Sequence, residues 1–387
     1  MRQDSRQSLF NGGPIPVLLM VRELNHGGVE RDVAKIAIHI DRRRFLPHVA
    51  TYSAKGMRFE ELAAAGVPVL EIPLSSFVSR RAAAGAVRLG AYLRQNRIRV
   101  VHAYDPIAVF CAPVARAVRV PVVLSSQLGS RDLLDSRSRR LLRWSDKIVD
   151  GFVVNCEAMR RHLVEDEHIR PDAIHLCYNG VDTRQFFPLD GEARPDPVRD
   201  ASLVIGAICV LRPEKALDLL QEAFARVRHL DPRMKLLIVG SGPELPKLQA
   251  NATRLNIADA CCFQPSTPEV PKFLRAIDIF ALCSHSEAFS NALLEAMACG
   301  CASVGSRVGG TPELTGEDER GLLFRAGDVA DMADKLAMLI ANEPLRRELS
   351  RRAAAFARES LSIEVAVERT AAIYEQELTK KKRPVSG

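Results

Sequence analysis

The stretch Ile277-Asp278-Ile279-Phe280-Ala281-Leu282-Cys283 is apolar but for one aspartate. It empties into the polar run Ser284-His285-Ser286-Glu287-Ala288-Phe289-Ser290, and then into Asn291-Ala292-Leu293-Leu294-Glu295-Ala296-Met297-Ala298-Cys299-Gly300. The first segment reads as a strand, the second as a loop, the third as a helix over Asn291–Ala298 with Ser290 or Asn291 as its cap. The strand shows no polar alternation, so both its faces are expected to be buried, as in a parallel sheet.

The same grammar repeats outward in both directions. Downstream comes a strand at Ala302–Ser306, and Val329 to Lys380 is almost entirely helical in pattern. Upstream lie strands Leu203–Val210, Lys235–Val239 and Ala260–Gln264, separated by helical stretches Ala216–His229, Glu244–Arg254 and Val270–Ala276. Earlier still, short apolar runs stand at Val17–Val21, His48–Ser53, Val67–Ile72, Val100–Tyr104, Val122–Ser126, Gly151–Asn155 and Ile174–Cys177. They alternate with helical spacing over Val29–Ile40, Arg80–Gln95, Ile107–Val118 and Leu133–Trp144. Pro188–Asp200, dense in Pro, Asp, Glu, Arg and Gly, interrupts the series and reads as a linker. The expected fold is α/β, with two Rossmann-like doubly wound domains facing a central cleft. Ligands of such sheets sit at the carboxyl ends of the strands, so strand-to-helix loops should carry the chemistry.

A chain of 387 residues suits two domains, and 47% hydrophobic with 26% charged residues is globular composition. No apolar run approaches the roughly 20 residues that span a bilayer. Met1–Pro14 is polar, without the apolar stretch of a secretory signal, so a cytoplasmic location is the expectation. Nine cysteines without a CxxC pair suggest reduced thiols. The net charge of +7 is unevenly placed: residues 1–195 hold 29 Lys+Arg against 21 Asp+Glu, residues 196–387 hold 25 against 26. A basic first half can attract an anionic membrane surface or a phosphorylated substrate. With 5% aromatics, one Trp and no recognised motif, nucleic acid is not an expected partner. The segment Arg131–Lys147, with Arg137, Arg139, Arg140, Arg143 and Trp144, is the candidate for a membrane contact, and an exposed basic helix over a buried Trp is the competing reading. Lys380-Lys381-Lys382-Arg383 reads as a solvated basic terminus.

Three loops are chemically informative. Glu23-Leu24-Asn25-His26-Gly27-Gly28-Val29 follows the first strand, and its two glycines let the backbone and a helix start approach a bound group. It is not GxGxxG. Leu211-Arg212-Pro213-Glu214-Lys215 sets Arg212 and Lys215 three apart at a loop-to-helix junction, a planar fork and a point charge that together can hold a diphosphate. In the Ser284–Gly300 segment, Glu287 lies in the loop and Glu295 about two helical turns later. Glu295 can bind a ribose diol; Glu287, with the N–H groups of Ala288, Phe289 and Ser290, can hold sugar hydroxyls. Gly240-Ser241-Gly242 reads as a structural turn.

Taken together these segments resemble retaining glycosyltransferases of the GT-B fold. The E-x7-E spacing of Glu287 and Glu295, the Ala296-Met297-Ala298-Cys299-Gly300 run and Val308-Gly309-Gly310-Thr311-Pro312-Glu313 are similar to family 4 in particular. Arg212-Pro213-Glu214-Lys215 resembles its R-x-x-K loop, Tyr178-Asn179-Gly180-Val181-Asp182 its N-G-V-D segment, and Gly27-Gly28 its N-terminal glycine loop. The resemblance implies a first domain over 1–190 for the acceptor, joined by a last helix at about 363–380, and a second over 191–362 for the nucleotide sugar. It implies Arg212, Lys215 and Glu287 as catalytic residues. Gly27, Gly28, Ala288, Phe289, Ser290, Asn291 and Glu295 would bind the donor. The acceptor would be a saccharide or lipid-linked, with no cofactor and no metal required.

Departures from the family pattern are visible. Gln127 stands where a His near the sugar is usual, and Gln carries no proton near neutral pH. His102 is the alternative contact, though a packed histidine is the readier account of it. Ala288 and Ser290 replace the glycines of E-G-F-G, Ala216 the glycine after Lys215, and Gln264-Pro265 a Leu-Gly pair in the base-binding stretch. These leave a nucleotide-sugar epimerase or a binding-only protein of the same fold as alternatives. The sugar, the base, the acceptor and the oligomeric state are not specified by the sequence.

Overall fold

In a computed structural model, residues 9–382 are described, apart from 11, 26, 75–78, 105, 130, 132–134 and 190. His26, Asp105, Leu133, Arg383 and the first eight residues, all within segments quoted above, lie outside the described residues. The chain forms two compact units, Met1–Gly180 with Ile363–Gly387, and Val181–Ser362.

The first unit runs β1 (Ile15–Glu23), α1 (Gly28–His39), β2 (Phe45–Ser53), α2 (Met57–Ala64), β3 (Val69–Glu71), α3 (Arg80–Gln95), β4 (Val100–Tyr104), α4 (Ala108–Ala117), β5 (Val122–Gln127), α5 (Ser136–Asp146), β6 (Gly151–Val154), α6 (Glu157–Glu165) and β7 (Ile174–Leu176). Its seven strands pair in the order β3-β2-β1-β4-β5-β6-β7, all parallel. The second unit runs β8 (Val204–Ile208), α7 (Leu217–Val227), β9 (Lys235–Val239), α8 (Leu245–Arg254), β10 (Cys261–Gln264), α9 (Val270–Arg275), β11 (Ile279–Leu282), α10 (Asn291–Ala298), β12 (Ala302–Ser306), α11 (Thr311–Thr315), β13 (Leu322–Phe324), α12 (Val329–Ala341) and α13 (Glu343–Ser360). Its six strands pair as β10-β9-β8-β11-β12-β13, again all parallel. The last helix, α14 (Ile363–Lys382), belongs to the first unit.

Central strands β4, β5 and β11 are buried along their whole length, which is why they lack alternation. In β1 the period of two still sorts side chains: Val17, Leu19 and Val21 enter one core cluster, Leu18 and Met20 the other. Ile363, Val367, Ala371, Tyr374 and Leu378 of α14 fill the cluster of Val17 and Leu19, so α14 is part of that core. Arg44 ties it down at the surface, its guanidinium 2.5 Å from the buried Glu375 and 2.6 Å from Glu368.

Two expectations change. The segment Pro188–Asp200 is not a linker between the units. Arg194 holds both oxygens of Asp278 (3.0 and 2.7 Å), Glu192 pairs with Arg275, and Val198 is fully buried, so these ion pairs strap it onto the second unit. The division falls after Gly180, not at 190, because Val181 donates its N–H to Leu361 (2.9 Å) and bridges to Ser362 within the second unit.

The hold of α14 on the sheet includes a buried histidine. His102 of β4 hydrogen-bonds Tyr374 Oη and Ser126 Oγ, each at 2.8 Å. Burial, with His175 adding a smaller repulsion, drives its pKa from 6.5 down to about 3. The unfolded chain therefore takes up a proton below about pH 6.5 that the folded chain refuses, and stability falls as pH drops. At about 1.4 kcal/mol per pH unit, this imidazole should cost about 2 kcal/mol between pH 7 and pH 5. Urea unfolding at both pH values should show that loss in the parent and a correspondingly smaller one in His102→Gln.

Candidate active site

In the second unit β8 and β11 are neighbours, and the strand order reverses between them. This is the switch point at which parallel sheets bind ligands beyond the strands' carboxyl ends. The loop leaving β8 carries Arg212 and Lys215; the loop leaving β11 carries Glu287. Lys215 Nζ lies 2.5 Å from Glu287 Oε1, and Ser284 Oγ donates to the same oxygen at 2.8 Å. The backbones are also joined: His285 N–H donates to the Glu214 carbonyl at 2.9 Å. Lys215 and Glu287 keep 24% and 12% of their side-chain surface in contact with solvent, whereas Arg212 is 61% exposed and 3.9 Å from Glu214. The pair is thus oriented and still reachable, while Arg212 remains on the surface.

Local backbone explains these positions. Pro213–Lys215 forms one 3-10 turn, and Ala216 then adopts φ 49°, ψ 42° as the residue before α7. A non-glycine residue in this left-handed region is strained by its Cβ. Ser290 caps α10, accepting from Leu293 N–H at 3.3 Å. Glu295 is buried one turn further along, in a helix whose other inward residues are apolar or small. Phe289 is also buried; Ala288 and Asn291 are partly exposed.

Sequence reading gave Gly309 and Ser284 no role at the site. Gly310 N–H donates to the Ala288 carbonyl at 2.6 Å, and Ser306 Oγ to the Ser284 carbonyl at 2.8 Å. A Cβ on Gly309 would stand 1.7 Å from the Glu287 carbonyl oxygen. The Val308–Gly310 turn therefore supports the Glu287 loop from behind by direct backbone contact. Gly240-Ser241-Gly242 does the same for the other loop: Leu211 N–H donates to the Ser241 carbonyl, and a Cβ on Gly242 would meet Leu211 O at 2.3 Å.

The chain matches known proteins over most of its length. Residues 26–185 match the family described as Glycosyltransferase Family 4, and residues 192–356 the one described as Glycosyl transferases group 1. The chain belongs to the family 4 glycosyltransferases. It is similar to the N-acetyl-alpha-D-glucosaminyl L-malate synthase of Bacillus anthracis, 28% identical over 69% of this chain and 72% of that one. It is also similar to the D-inositol 3-phosphate glycosyltransferase of Stackebrandtia nassauensis, 35% identical over 52% of this chain and 48% of the relative. The match thus spans about half the length of that second relative. Anabaena HepE in complex with UDP and glucose shares the fold, with a TM-score of 0.82 at 20% identity, covering 92% of this chain and 98% of that one. The architecture is that of the GT-B glycosyltransferases.

The remaining residues singled out in this transferase lie in the first unit. Gly27 precedes α1 as its N-cap without a side-chain cap, and the Glu30 side chain folds against its α-carbon; Gly28 is the first helical residue. His102 is packed and neutral, as described above, and is not a proton carrier. Gln127 is corrected as well: it is fully buried, its Oε1 accepting from Arg131 Nε (3.0 Å) and its Nε2 donating to Ser125 Oγ (3.2 Å). Its amide is occupied in holding Arg131, so it offers no contact to a sugar. A cavity of about 40 Å³ is lined by Lys35, His102 and Tyr104, among other residues of the first unit. Among the described residues no cluster of His, Cys, Asp or Glu is placed to hold a metal ion.

Two substitutions test this geometry. Gly309→Ala must displace the Glu287 loop; sugar transfer should fall about 100-fold while the protein stays folded and free nucleotide still binds. Transfer at the parent rate would show that the loop does not depend on this contact. Ala216→Gly should raise the urea-unfolding free energy by about 1 kcal/mol by relieving the left-handed strain.

Proposed function

We propose that this glycosyltransferase moves a sugar from a UDP- or GDP-linked donor to a saccharide or lipid-linked acceptor, with retention of anomeric configuration, in polysaccharide or glycolipid assembly. The observation that carries this reading is the Lys215–Glu287 pair on adjacent loops at the switch point of the second unit. One end of the pair is a cation suited to a diphosphate, the other a carboxylate suited to sugar hydroxyls. They sit close enough to address both halves of a nucleotide sugar.

Each residue then has a stated task. Arg212 and Lys215 stabilise the negative charge that builds on the departing diphosphate, which is the work a metal ion would otherwise do. Glu287, steadied by Ser284, accepts hydrogen bonds from the donor sugar, and the backbone N–H groups of Ala288, Phe289 and Ser290 add donors beside it. Glu295 receives the ribose hydroxyls. Gly27 and Gly28 present a helix start to phosphate oxygens. The complexes of HepE with UDP and glucose and with UDP-glucose, and the glycosyltransferases among the relatives, support a nucleotide-sugar substrate. A lipid-linked acceptor would bring the enzyme to a membrane face.

Calorimetry of UDP, GDP and ADP against metal-free protein tests the proposal. One nucleotide should bind, at least tenfold more weakly in Arg212→Ala, whereas Glu287→Ala should keep nucleotide binding and lose sugar transfer by 100-fold or so. Absence of binding by all three would overturn the donor-site assignment.

A further inference from the structure

Helix α5 reads Ser136-Arg137-Ser138-Arg139-Arg140-Leu141-Leu142-Arg143-Trp144-Ser145-Asp146. Only Leu142 and Ser145 are buried. Arg137, Arg140, Leu141 and Trp144, three or four residues apart, form one stripe on the opposite face, continued by the exposed Lys147. Trp144, the single tryptophan of the chain, is 51% exposed, and Leu141 beside it is 38% exposed. The competing reading, a buried Trp beneath a basic helix, does not hold: the Trp144 ring is exposed on a helix rich in cations.

Four acids on or near this helix in the described residues are already engaged. Asp135 caps the helix through the N–H groups of Arg137 and Ser138; Asp146 is bound bidentately by the fully buried Arg131; Glu167 takes Arg143 and Arg131; Asp150 takes Arg116 and Lys381. Among the described residues no carboxylate pairs with the side chains of Arg137, Arg140 or Lys147. What remains is an amphipathic strip with an apolar centre and a cationic frame, on a helix anchored from beneath by an ion-paired arginine. Trp favours a headgroup-level position, with its apolar ring inward and N–H wet, while Arg and Lys reach lipid phosphates by extending their long stems.

We infer that α5 docks this protein on an anionic lipid surface, with Trp144 and Leu141 entering the headgroup layer and Arg137, Arg140 and Lys147 meeting lipid phosphates. A second copy of the same face is disfavoured, since like charges would oppose each other. Nucleic acid would use the cations but offers no apolar phase for Leu141, and one isolated ring is not a stacking platform. The inference goes beyond the sugar-transfer reading and does not depend on it, because nucleotide binding in the second unit is measured without lipid.

The lone tryptophan makes the test direct. Full-length protein is mixed with vesicles of phosphatidylcholine alone, or with about 30% phosphatidylglycerol, and both sedimentation and Trp emission are read. Emission should shift to the blue, and protein should sediment, only with the anionic vesicles, and less so in high salt. The triple variant Arg137→Ser, Arg140→Ser, Lys147→Ser should reduce vesicle binding at least tenfold while leaving nucleotide calorimetry unchanged. Trp144→Ser should weaken sedimentation as well. Protein that stays in the supernatant with both vesicles overturns the inference. So does anionic-vesicle binding that survives the triple variant, which would place the contact elsewhere. Duplex DNA that binds through the same cations, while vesicles do not, would assign the face to nucleic acid instead.

Discussion

The second unit turns on the parallel pairing of β8 with β11, in which Ile279 and Phe280 lie opposite Ile205 and Gly206. Asp278 fixes that pairing at its entrance: its carboxylate accepts the Val204 N–H at 2.7 Å and is gripped by Arg194. Because the two strands run the same way side by side, the loops at their far ends must meet. Lys215 and Glu287 are 72 residues apart and nevertheless share a hydrogen bond. No local propensity produces such a contact; it follows from topology, which places one strand's exit beside another's. The backbone supports from Gly240–Gly242 and Val308–Gly310 then keep the loops from drifting, as a site on loops requires.

In the first unit a different economy operates. Polar side chains here are drawn inward and matched with one another: His102 with Tyr374 and Ser126, His175 with Glu377, Gln127 with Arg131, Arg131 with Asp146. These groups are paired with one another because an unpaired buried one would cost more than it returns. Two of these pairs reach from the sheet to α14, so that a helix distant in sequence is oriented by specific hydrogen bonds as well as by apolar burial. The consequence for reading the unit is that polar residues at strand ends are not, for that reason alone, substrate contacts.

Much of this was legible in the chain. Runs such as Val100–Tyr104 and Ile277–Cys283 announced doubly buried strands, and the loops after β8 and β11 announced their polar cargo, because both signals are local. Short amphipathic elements such as α2 and α6 escaped, since eight or nine residues give few turns for a period to show. The support of Glu287 by Gly309 could not be read, since it depends on how two loops meet. The visible signal was the Gly309-Gly310 pair, which marks a close approach without saying to what. Gln127 misled for a related reason: its position at the end of β5 was read correctly, but the buried guanidinium that claims its amide comes from a residue four places on. The outward face of Trp144 was equally hidden, because helical periodicity fixes which residues share a face and not which face meets the core.

The return of α14 to the first unit has a consequence for how the molecule is made. On the ribosome, residues 181–362 are all available before α14 has been synthesised, so the second unit can close while the first still lacks the helix that covers Val17 and Leu19. The usual order, in which the amino-terminal domain matures first, is thereby inverted. An apolar sheet face of the earlier-made half must wait, exposed or transiently sheltered, until the last helix arrives. A nascent chain interrupted just after residue 362 would carry a complete second unit and an unfinished first, which is the kind of species that chaperones bind and proteases clear.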